Sequence, residues 1–127
     1  MGGGPLMDLN ELFMVEYAFK KAKKLNKITA LLGCGVGPLF NRKFRKSVLN
    51  ISKLSDIVIL RDSKSKENLE KIYAEFSEFF NKEGISTSFD PAVECCLQYD
   101  KLSSHLAQEK FVAVNLRKFP KEYSKKI

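Results

Sequence analysis

The residues of this sequence that could do chemistry follow short apolar runs. After the run 28–32, the chain continues Gly33-Cys34-Gly35-Val36-Gly37-Pro38. Glycines let a backbone come close to a ligand and turn its N–H groups toward an anion, so Gly35 and Gly37 could help to cradle a phosphate. The spacing is not the dinucleotide fingerprint, because the third glycine comes two residues after the second and a proline follows it. A tight turn that needs positive φ angles explains the same glycines.

Charged residues also follow three further segments that can form strands. Arg61 and Asp62 come after 57–60, Asp90 after 85–89, and Arg117 after 111–116. A guanidinium at such a place can bind a phosphate or a carboxylate with two hydrogen bonds. Each residue also has a structural reading: Arg61 in an ion pair with a nearby carboxylate, Asp90 as the cap of a helix near Pro91, and Arg117 as a solvated surface residue.

The start of the next helical segment offers two more polar residues. Asp62 or Ser65 can cap that helix by accepting hydrogen bonds from its free N–H groups, and Ser65 is a candidate substrate contact. No Cys, Asp or Glu set with metal-ligand spacing surrounds His105, the only histidine. We therefore expect no metal site and assign no catalytic residue.

The elements that must position these residues alternate between helices and strands. Apolar spacing predicts helices over 9–25, from Asn41 to about 54, and from Ser63 to a C-cap at Gly84, the last with Phe76, Phe79 and Phe80 in its core stripe. Apolar runs predict buried strands at 28–32, 57–60 and 111–116, and 85–89 can form another short strand. The fold class is α/β, with a Rossmann-like parallel sheet, helices on both faces and ligands at the carboxyl ends of the strands.

The domain organisation expected from the sequence is that of an incomplete half of a larger fold. Residues 1–99 form part of an amino-terminal Rossmann-like domain, 100–110 a polar linker, and 111–127 the start of a second such domain. The chain opens on a glycine loop where a strand is usual. It also ends just after a new strand begins, so we expect a piece of a longer protein.

Composition narrows the choice of partners. The chain has 127 residues and a net charge of +7, which favours anionic partners. No apolar run is long enough to span a membrane, and no secretory signal is present, so we expect a cytoplasmic protein. The basic tail, residues 118–126, has too few aromatic residues and no recognition-helix pattern for a nucleic-acid site.

These motifs, taken in order, resemble the polysaccharide pyruvyl transferase family. The residues that carry the resemblance are Gly2-Gly3-Gly4, Gly33 to Leu39, Arg61-Asp62 with Ser65 and Leu69, Asp90-Pro91-Ala92, and Val112 to Arg117. The resemblance implies an enzyme with a fold similar to two-domain GT-B glycosyltransferases. It also implies transfer of a pyruvyl group from phosphoenolpyruvate to a sugar hydroxyl, as a ketal, in the synthesis of cell-surface polysaccharides such as exopolysaccharides.

Site residues and partners follow from that resemblance as expectations. Arg61 and Arg117 suit the binding of the donor's phosphate and carboxylate, and the partners are phosphoenolpyruvate and a saccharide acceptor, with no further cofactor. A lipid-linked acceptor would make the protein peripheral to a membrane. The family's second half, where we would look for the catalytic acid or base, is missing from these residues, so we expect no catalysis from them alone.

Two other functions stay open at this point. The glycine run and the basic charge also fit a non-catalytic α/β module that binds nucleotides or sugar nucleotides. A fragment of a GT-B glycosyltransferase that uses a nucleotide sugar would have the same architecture.

Overall fold

The computed structural model describes residues 4–90, together with residues 93 and 98. Strands and helices alternate strictly along this part of the chain, in the order β1 Pro5–Leu6, α1 Glu11–Lys24, β2 Ala30–Val36, α2 Arg42–Leu54, β3 Ile57–Leu60, α3 Ser63–Glu75 and β4 Ile85–Thr87. The predicted α/β class is confirmed. Strand β1 was not predicted, and β4 is shorter than the predicted 85–89. The predicted linker 100–110, the strand 111–116 and the second domain lie outside the described residues.

The four strands form one parallel sheet in the order β1-β2-β3-β4. Helix α1 contacts α2, and α2 contacts α3, so the helices form one layer. This agrees with the uniform hand of βαβ crossovers, which puts all helices on one face when strands follow chain order. Within the described residues the helices therefore cover one face of the sheet, and not both faces as predicted.

The register of the sheet shows the two faces directly. Leu31, Val58 and Ile85 are paired neighbours on β2, β3 and β4, and all three are buried. In the next row, Leu32 is 43% exposed and Ser86 is also exposed. Side chains alternate between faces along a strand, so the buried row lies against the helices and the second row on the open face.

Helices α1 and α2 are joined by a buried polar cluster around Glu16. Its carboxylate accepts hydrogen bonds from Ser47 Oγ and from Asn50 Nδ2 on α2, and it pairs with Lys20 one turn further along α1. Burial raises the pKa of Glu16, but the bonds from Lys20, Ser47 and Asn50 outweigh it and hold that pKa below its ordinary value. The charge is thus retained inside the helix layer because every oxygen has a donor.

Helix α3 ends earlier than its aromatic stripe predicts. Its last residue is Glu75, Phe76 is the C-cap, and Ser77 has a φ of 54°. That left-handed residue turns the chain out of the helix, and the Glu78 N–H closes the end by donating to the carbonyl of Tyr73. The predicted C-cap at Gly84 and the core position of Phe79 are therefore wrong. Phe79 is 86% exposed, while Phe76 and Phe80 still pack against the core.

The amino ends of β2 and β3 are held together by Asp56. Its carboxylate accepts hydrogen bonds from the N–H and the hydroxyl of Thr29 and pairs with Lys23 of α1. These interactions, with Lys23 the strongest, lower the pKa of Asp56 to about 2. This edge of the sheet is opposite to the one at which the candidate site residues lie.

Candidate functional site

The glycine run begins inside a strand. Strand β2 continues to Val36, and its register against β3 shifts between Leu32 and Cys34. Gly33, the residue at the shift, has a φ of 62°, which a residue with a side chain rarely adopts. The prediction of a strand that ends before Gly33 is therefore wrong, and the loop is confined to residues 37–40. A glycine bulge keeps the chain extended, which the apolar run alone could not show.

Two backbone N–H groups at the end of the glycine run already have hydrogen-bond acceptors within the protein. The Gly37 N–H donates to the carbonyl of Leu6, at 2.9 Å, and the Val36 N–H donates to Ser65 Oγ, at 3.0 Å. Asn68 Nδ2 donates to the carbonyl of Val36, at 2.8 Å. These bonds tie β2 to β1 on one side and to α3 on the other. A contact of Gly35 or Gly37 with a substrate stays a prediction, and a phosphate there would have to use other groups than these N–H groups.

Gly37 is required by the geometry of this loop. Its φ is 100°, and a Cβ at this position would come within 3.2 Å of Asn68 Nδ2, the atom that holds the carbonyl of Val36. The positive φ angles predicted for the glycines are confirmed at Gly33 and Gly37, but at Gly33 the angle belongs to a bulge inside β2 and not to a tight turn.

Arg61 lies at the carboxyl edge of the sheet between two carboxylates. Its Nε is 3.3 Å from Asp62 Oδ2, and its Nη1 is 3.7 Å from Asp90 Oδ2. Asp62 and Asp90 follow different strands, and the parallel sheet brings them to the same edge. The ion-pair reading of Arg61 is confirmed. The Asp90 contact is longer than a hydrogen bond, and the three side chains are between 31% and 42% exposed, so the ion pair between Arg61 and Asp90 contributes little to stability.

Asp62 is the N-cap of α3. Its Oδ1 accepts a hydrogen bond from the Ser65 N–H at 2.6 Å, as predicted. This bond, followed by one from the Ser65 hydroxyl and by the pairing with Arg61, lowers the pKa of Asp62. The carboxylate is therefore ionised over the physiological range, and its second oxygen is left to orient Arg61.

Ser65 is buried, at 3% exposure, and its hydroxyl links Asp62 with the Val36 N–H. Its observed role is to hold the end of β2 against the start of α3, while a direct substrate contact stays a prediction. Arg117 lies outside the described residues, so its place relative to Arg61 is likewise a prediction.

A cavity of about 340 Å³ opens on the other side of the loop 37–40, between that loop and helices α2 and α3. Arg45 lines the cavity and links its walls. The guanidinium pairs with Glu75 of α3 and donates hydrogen bonds to the carbonyls of Leu39 and Phe40 in the loop. Of the predicted site residues, Gly37 lines the cavity, and Arg61, Ser65 and Asp90 do not. The structure thus separates the predicted residues into a loop beside a cavity and a charged cluster at the sheet edge.

Sequence reasoning missed Arg45 and Asn68, two residues that shape the site. Asn68 follows Ser65 by three positions, which places both on one face of α3, so helical spacing from Ser65 could have found it. Arg45 gave no such signal, because it is one of several cations on α2. Its partners are the carboxylate of Glu75, which is distant in sequence, and two carbonyls of the loop.

Metal and membrane features can be judged for the described residues. Among them, no group of three or more His, Cys, Asp or Glu is arranged to hold a metal ion. Cys34 is buried, and burial raises the pKa of its thiol, which keeps it protonated. None of the helices over residues 11–75 has the length and apolar character needed to cross a bilayer. His105 lies outside the described residues.

The fold and the edge cluster of Arg61, Asp62 and Asp90 together define an α/β protein with a parallel sheet and charged side chains at the carboxyl ends of its strands. Comparison with protein families gives the family itself: the model for polysaccharide pyruvyl transferase matches residues 2–127. The chain therefore belongs to the polysaccharide pyruvyl transferase family, as its motifs indicated. Comparison with curated proteins and with solved structures gave no match.

Proposed function

We propose that this chain forms part of an enzyme that transfers a pyruvyl group from phosphoenolpyruvate to a sugar hydroxyl during the synthesis of a cell-surface polysaccharide. The observation that carries the proposal is Arg61, an edge guanidinium whose 3.7 Å contact with Asp90 leaves it available to an anion. Family membership supports the general reaction. Phosphoenolpyruvate has a phosphate and a carboxylate, both of which a guanidinium binds with two hydrogen bonds.

The reaction develops charge at two points, the cationic carbon of the donor and the leaving phosphate. A proton adds to the terminal enol carbon of phosphoenolpyruvate, and a sugar oxygen attacks the resulting cationic carbon. The phosphate leaves with its bridging oxygen, and a second sugar hydroxyl takes its place. The products are a pyruvyl ketal and inorganic phosphate, and the two hydroxyl protons balance the proton gained by carbon and the one taken up by phosphate. Cations stabilise the leaving phosphate.

Each named side chain has a proposed part in this reaction. Arg61 binds the donor's phosphate or carboxylate, with Arg117 as a second cation. Asp90, whose Oδ2 lies 3.7 Å from Arg61 Nη1, accepts a hydrogen bond from an acceptor hydroxyl. Gly35, Gly37 and Ser65 shape the edge against which the substrates lie. The catalytic acid is left unassigned.

The proposal also covers where the reaction takes place and which parts of the enzyme it needs. The reaction takes place in the cytoplasm, and a lipid-linked saccharide acceptor would bring the enzyme to the membrane surface. We also propose that a second Rossmann-like half, as in GT-B-like folds, is needed for turnover. The protein isolated from its source cells should then exceed this chain in intact mass, and only the longer form should release phosphate.

The test is phosphate release from phosphoenolpyruvate by the natural protein, with saccharide acceptors analysed by mass spectrometry for an added pyruvyl group. Arg61→Ala should lower kcat/KM by at least about tenfold, since a hydrogen bond to a charged group contributes roughly 1.5 kcal/mol or more. Arg61→Lys should lie between that variant and the wild type, because lysine keeps the charge and loses the two-point contact.

Lys82→Ala is the matched control, because it removes an exposed cation whose partner, Glu70, lies away from the edge cluster. Its kcat/KM should stay within twofold of the wild type. Unchanged kinetics in Arg61→Ala would remove Arg61 from the site. A hexose mass shift with a nucleotide sugar, and none with phosphoenolpyruvate, would instead support a glycosyltransferase.

A further inference from the structure

The positive charge of this protein is concentrated in its first two helices. Residues 9–54 contain ten lysines and arginines and two glutamates, a net charge of +8, whereas the whole chain has +7. One of the two glutamates, Glu16, is buried and pairs with Lys20. Among the residues that the structure describes, five of the ten cations pair with carboxylates, and the other five leave an excess of positive charge on this part of the chain; the paired cations are Lys20, Lys23, Arg42, Arg45 and Lys53.

The same surface also presents large apolar side chains to solvent. Helix α1 packs inward through Leu12, Glu16 and Phe19, which are buried. Its opposite stripe runs Met14, Tyr17, Lys21 and Lys24, at steps of three and four residues. Met14 is 72% exposed and Tyr17 is 70% exposed. An apolar first half and a cationic second half thus share one outward stripe.

Neighbouring residues extend both properties of this stripe. Phe13, half-exposed, stacks on Phe44 of α2 with ring centroids 5.0 Å apart, and the exposed Lys43 precedes Phe44. In the described part of the chain, no salt bridge includes Lys21, Lys24 or Lys43. We name Phe13, Met14, Tyr17, Lys21 and Lys24 the outer face of α1.

We infer that the outer face of α1 docks on an anionic lipid membrane. Lysines with long apolar stems can keep their charge at the headgroups while Met14, Tyr17 and Phe13 enter the interface. Tyrosine is itself favoured at that depth, because its ring is apolar and its hydroxyl polar. The charge complementarity selects an anionic lipid surface, and the convex shape of a single helix lacks the groove in which nucleic acid strands are held.

The position of this face in the fold gives the docking a purpose. A helix that follows a parallel strand begins at the carboxyl edge of the sheet, so Phe13 and Met14 lie near the edge that carries Arg61. Docking would bring that edge close to saccharides attached to membrane lipids. This purpose rests on the proposed function, but the binding itself does not and can be tested without any activity.

The experiment measures binding of the 127-residue chain to vesicles made of equal parts phosphatidylglycerol and phosphatidylcholine, by cosedimentation. The chain should bind these vesicles, release them at high salt, and not bind vesicles of phosphatidylcholine alone. Lys21→Gln combined with Lys24→Gln should weaken binding about 25-fold, roughly fivefold for each lysine. The matched control, Lys64→Gln with Lys82→Gln, removes two lysines of 70% and 65% exposure elsewhere and should change binding less than twofold.

A fluorescent reporter tests the apolar part of the face. The chain has no tryptophan, so Tyr17→Trp introduces a single one on the outer face, and Phe79→Trp places one at an exposed position after α3. On anionic vesicles the emission of Tyr17→Trp should shift to the blue, and that of Phe79→Trp should not.

Three results would overturn the inference. They are no binding to the anionic vesicles, equal losses in the two lysine pairs, and a blue shift confined to Phe79→Trp. Binding of a single-stranded RNA through Lys21 and Lys24, without vesicle binding, would assign the face to nucleic acid and reject the membrane. Unchanged circular dichroism in each variant shows that the fold is intact, and these surface positions have no buried contacts to lose.

Discussion

Replacing Ser65 by alanine tests how the glycine run is held against helix α3. The Ser65 hydroxyl accepts the Val36 N–H at 3.0 Å and also reaches the carboxylate of Asp62. Both Ser65 and Val36 are buried. Ser65→Ala therefore leaves the Val36 N–H without its acceptor inside the protein, where water cannot easily replace it.

The expected magnitude follows from that buried group. An unsatisfied buried donor costs about 1–3 kcal/mol, and the better helix propensity of alanine returns roughly 0.5 kcal/mol. The net loss in the free energy of unfolding is then about 0.5–2.5 kcal/mol. For a domain of this size that corresponds to a fall in Tm of roughly 2–10 °C.

Thermal unfolding followed by circular dichroism measures the loss, and amide hydrogen exchange of Val36 locates it. Ser63→Ala is the control, because it makes the same change two residues earlier in the same helical turn, at an exposed side chain, and should shift stability by less than about 0.5 kcal/mol. Equal Tm values for the two variants, with unchanged exchange at Val36, would refute the argument.

Three further predictions concern other parts of the fold. Gly37→Ala should cost about 1–3 kcal/mol in urea unfolding, because its φ is 100° and the new Cβ meets Asn68, whereas Gly4→Ala, with open space around it, should cost less than about 0.5 kcal/mol. The pKa of Asp56 is about 2 when folded and near 3.8 when unfolded, so its carboxylate stabilises the fold above about pH 4 and loses that effect as the pH falls toward 2. The stability difference between wild type and Asp56→Asn should shrink over that window in pH-dependent unfolding, and a constant difference would contradict the assignment. Phe79→Ser should leave Tm nearly unchanged, since this side chain is 86% exposed, and a loss above about 2 kcal/mol would restore Phe79 to the core.

Much of the fold could be predicted because local patterns and tertiary structure agree. The run Ile57–Leu60 forms β3 over the predicted residues, although only Val58 and Leu60 are buried and Ile57 is exposed. Asn41 caps α2 by accepting the Lys43 N–H, and Asp62 caps α3. In each case the structure is determined by residues within one helix or strand, so the spacing of those residues is enough to predict it.

The wrong predictions concern segments whose structure depends on a backbone turn or on pairing with another strand. The aromatic spacing through Phe79 continues a helix, but the left-handed Ser77 ends it, and that turn leaves no pattern in the side chains. Strand β1 has two residues and exists through its pairing with β2. Likewise, the glycines were expected in a loop. They continue β2 because that strand pairs with β3 on both sides of the bulge at Gly33, and this pairing leaves no pattern in the sequence.

The candidate site shows the same division. The sequence placed Arg61 and Asp90 at one edge, since parallel strands end together, and the structure brings them to 3.7 Å. It could not show that Ser65 faces inward or that the N–H groups of Val36 and Gly37 are already bonded. Those facts depend on which side of α3 meets β2, a tertiary choice that helical spacing leaves open.

The chain-order arrangement of the sheet also governs how the protein can fold. Each strand pairs with the strand before it, and each helix packs against the helix before it. Contacts between neighbouring units close short loops, which lowers the entropy lost before the first stable contacts form. During synthesis, a completed βα unit can therefore dock on its predecessor as soon as it leaves the ribosome, and the sheet grows from β1 toward β4 in the order in which it is translated.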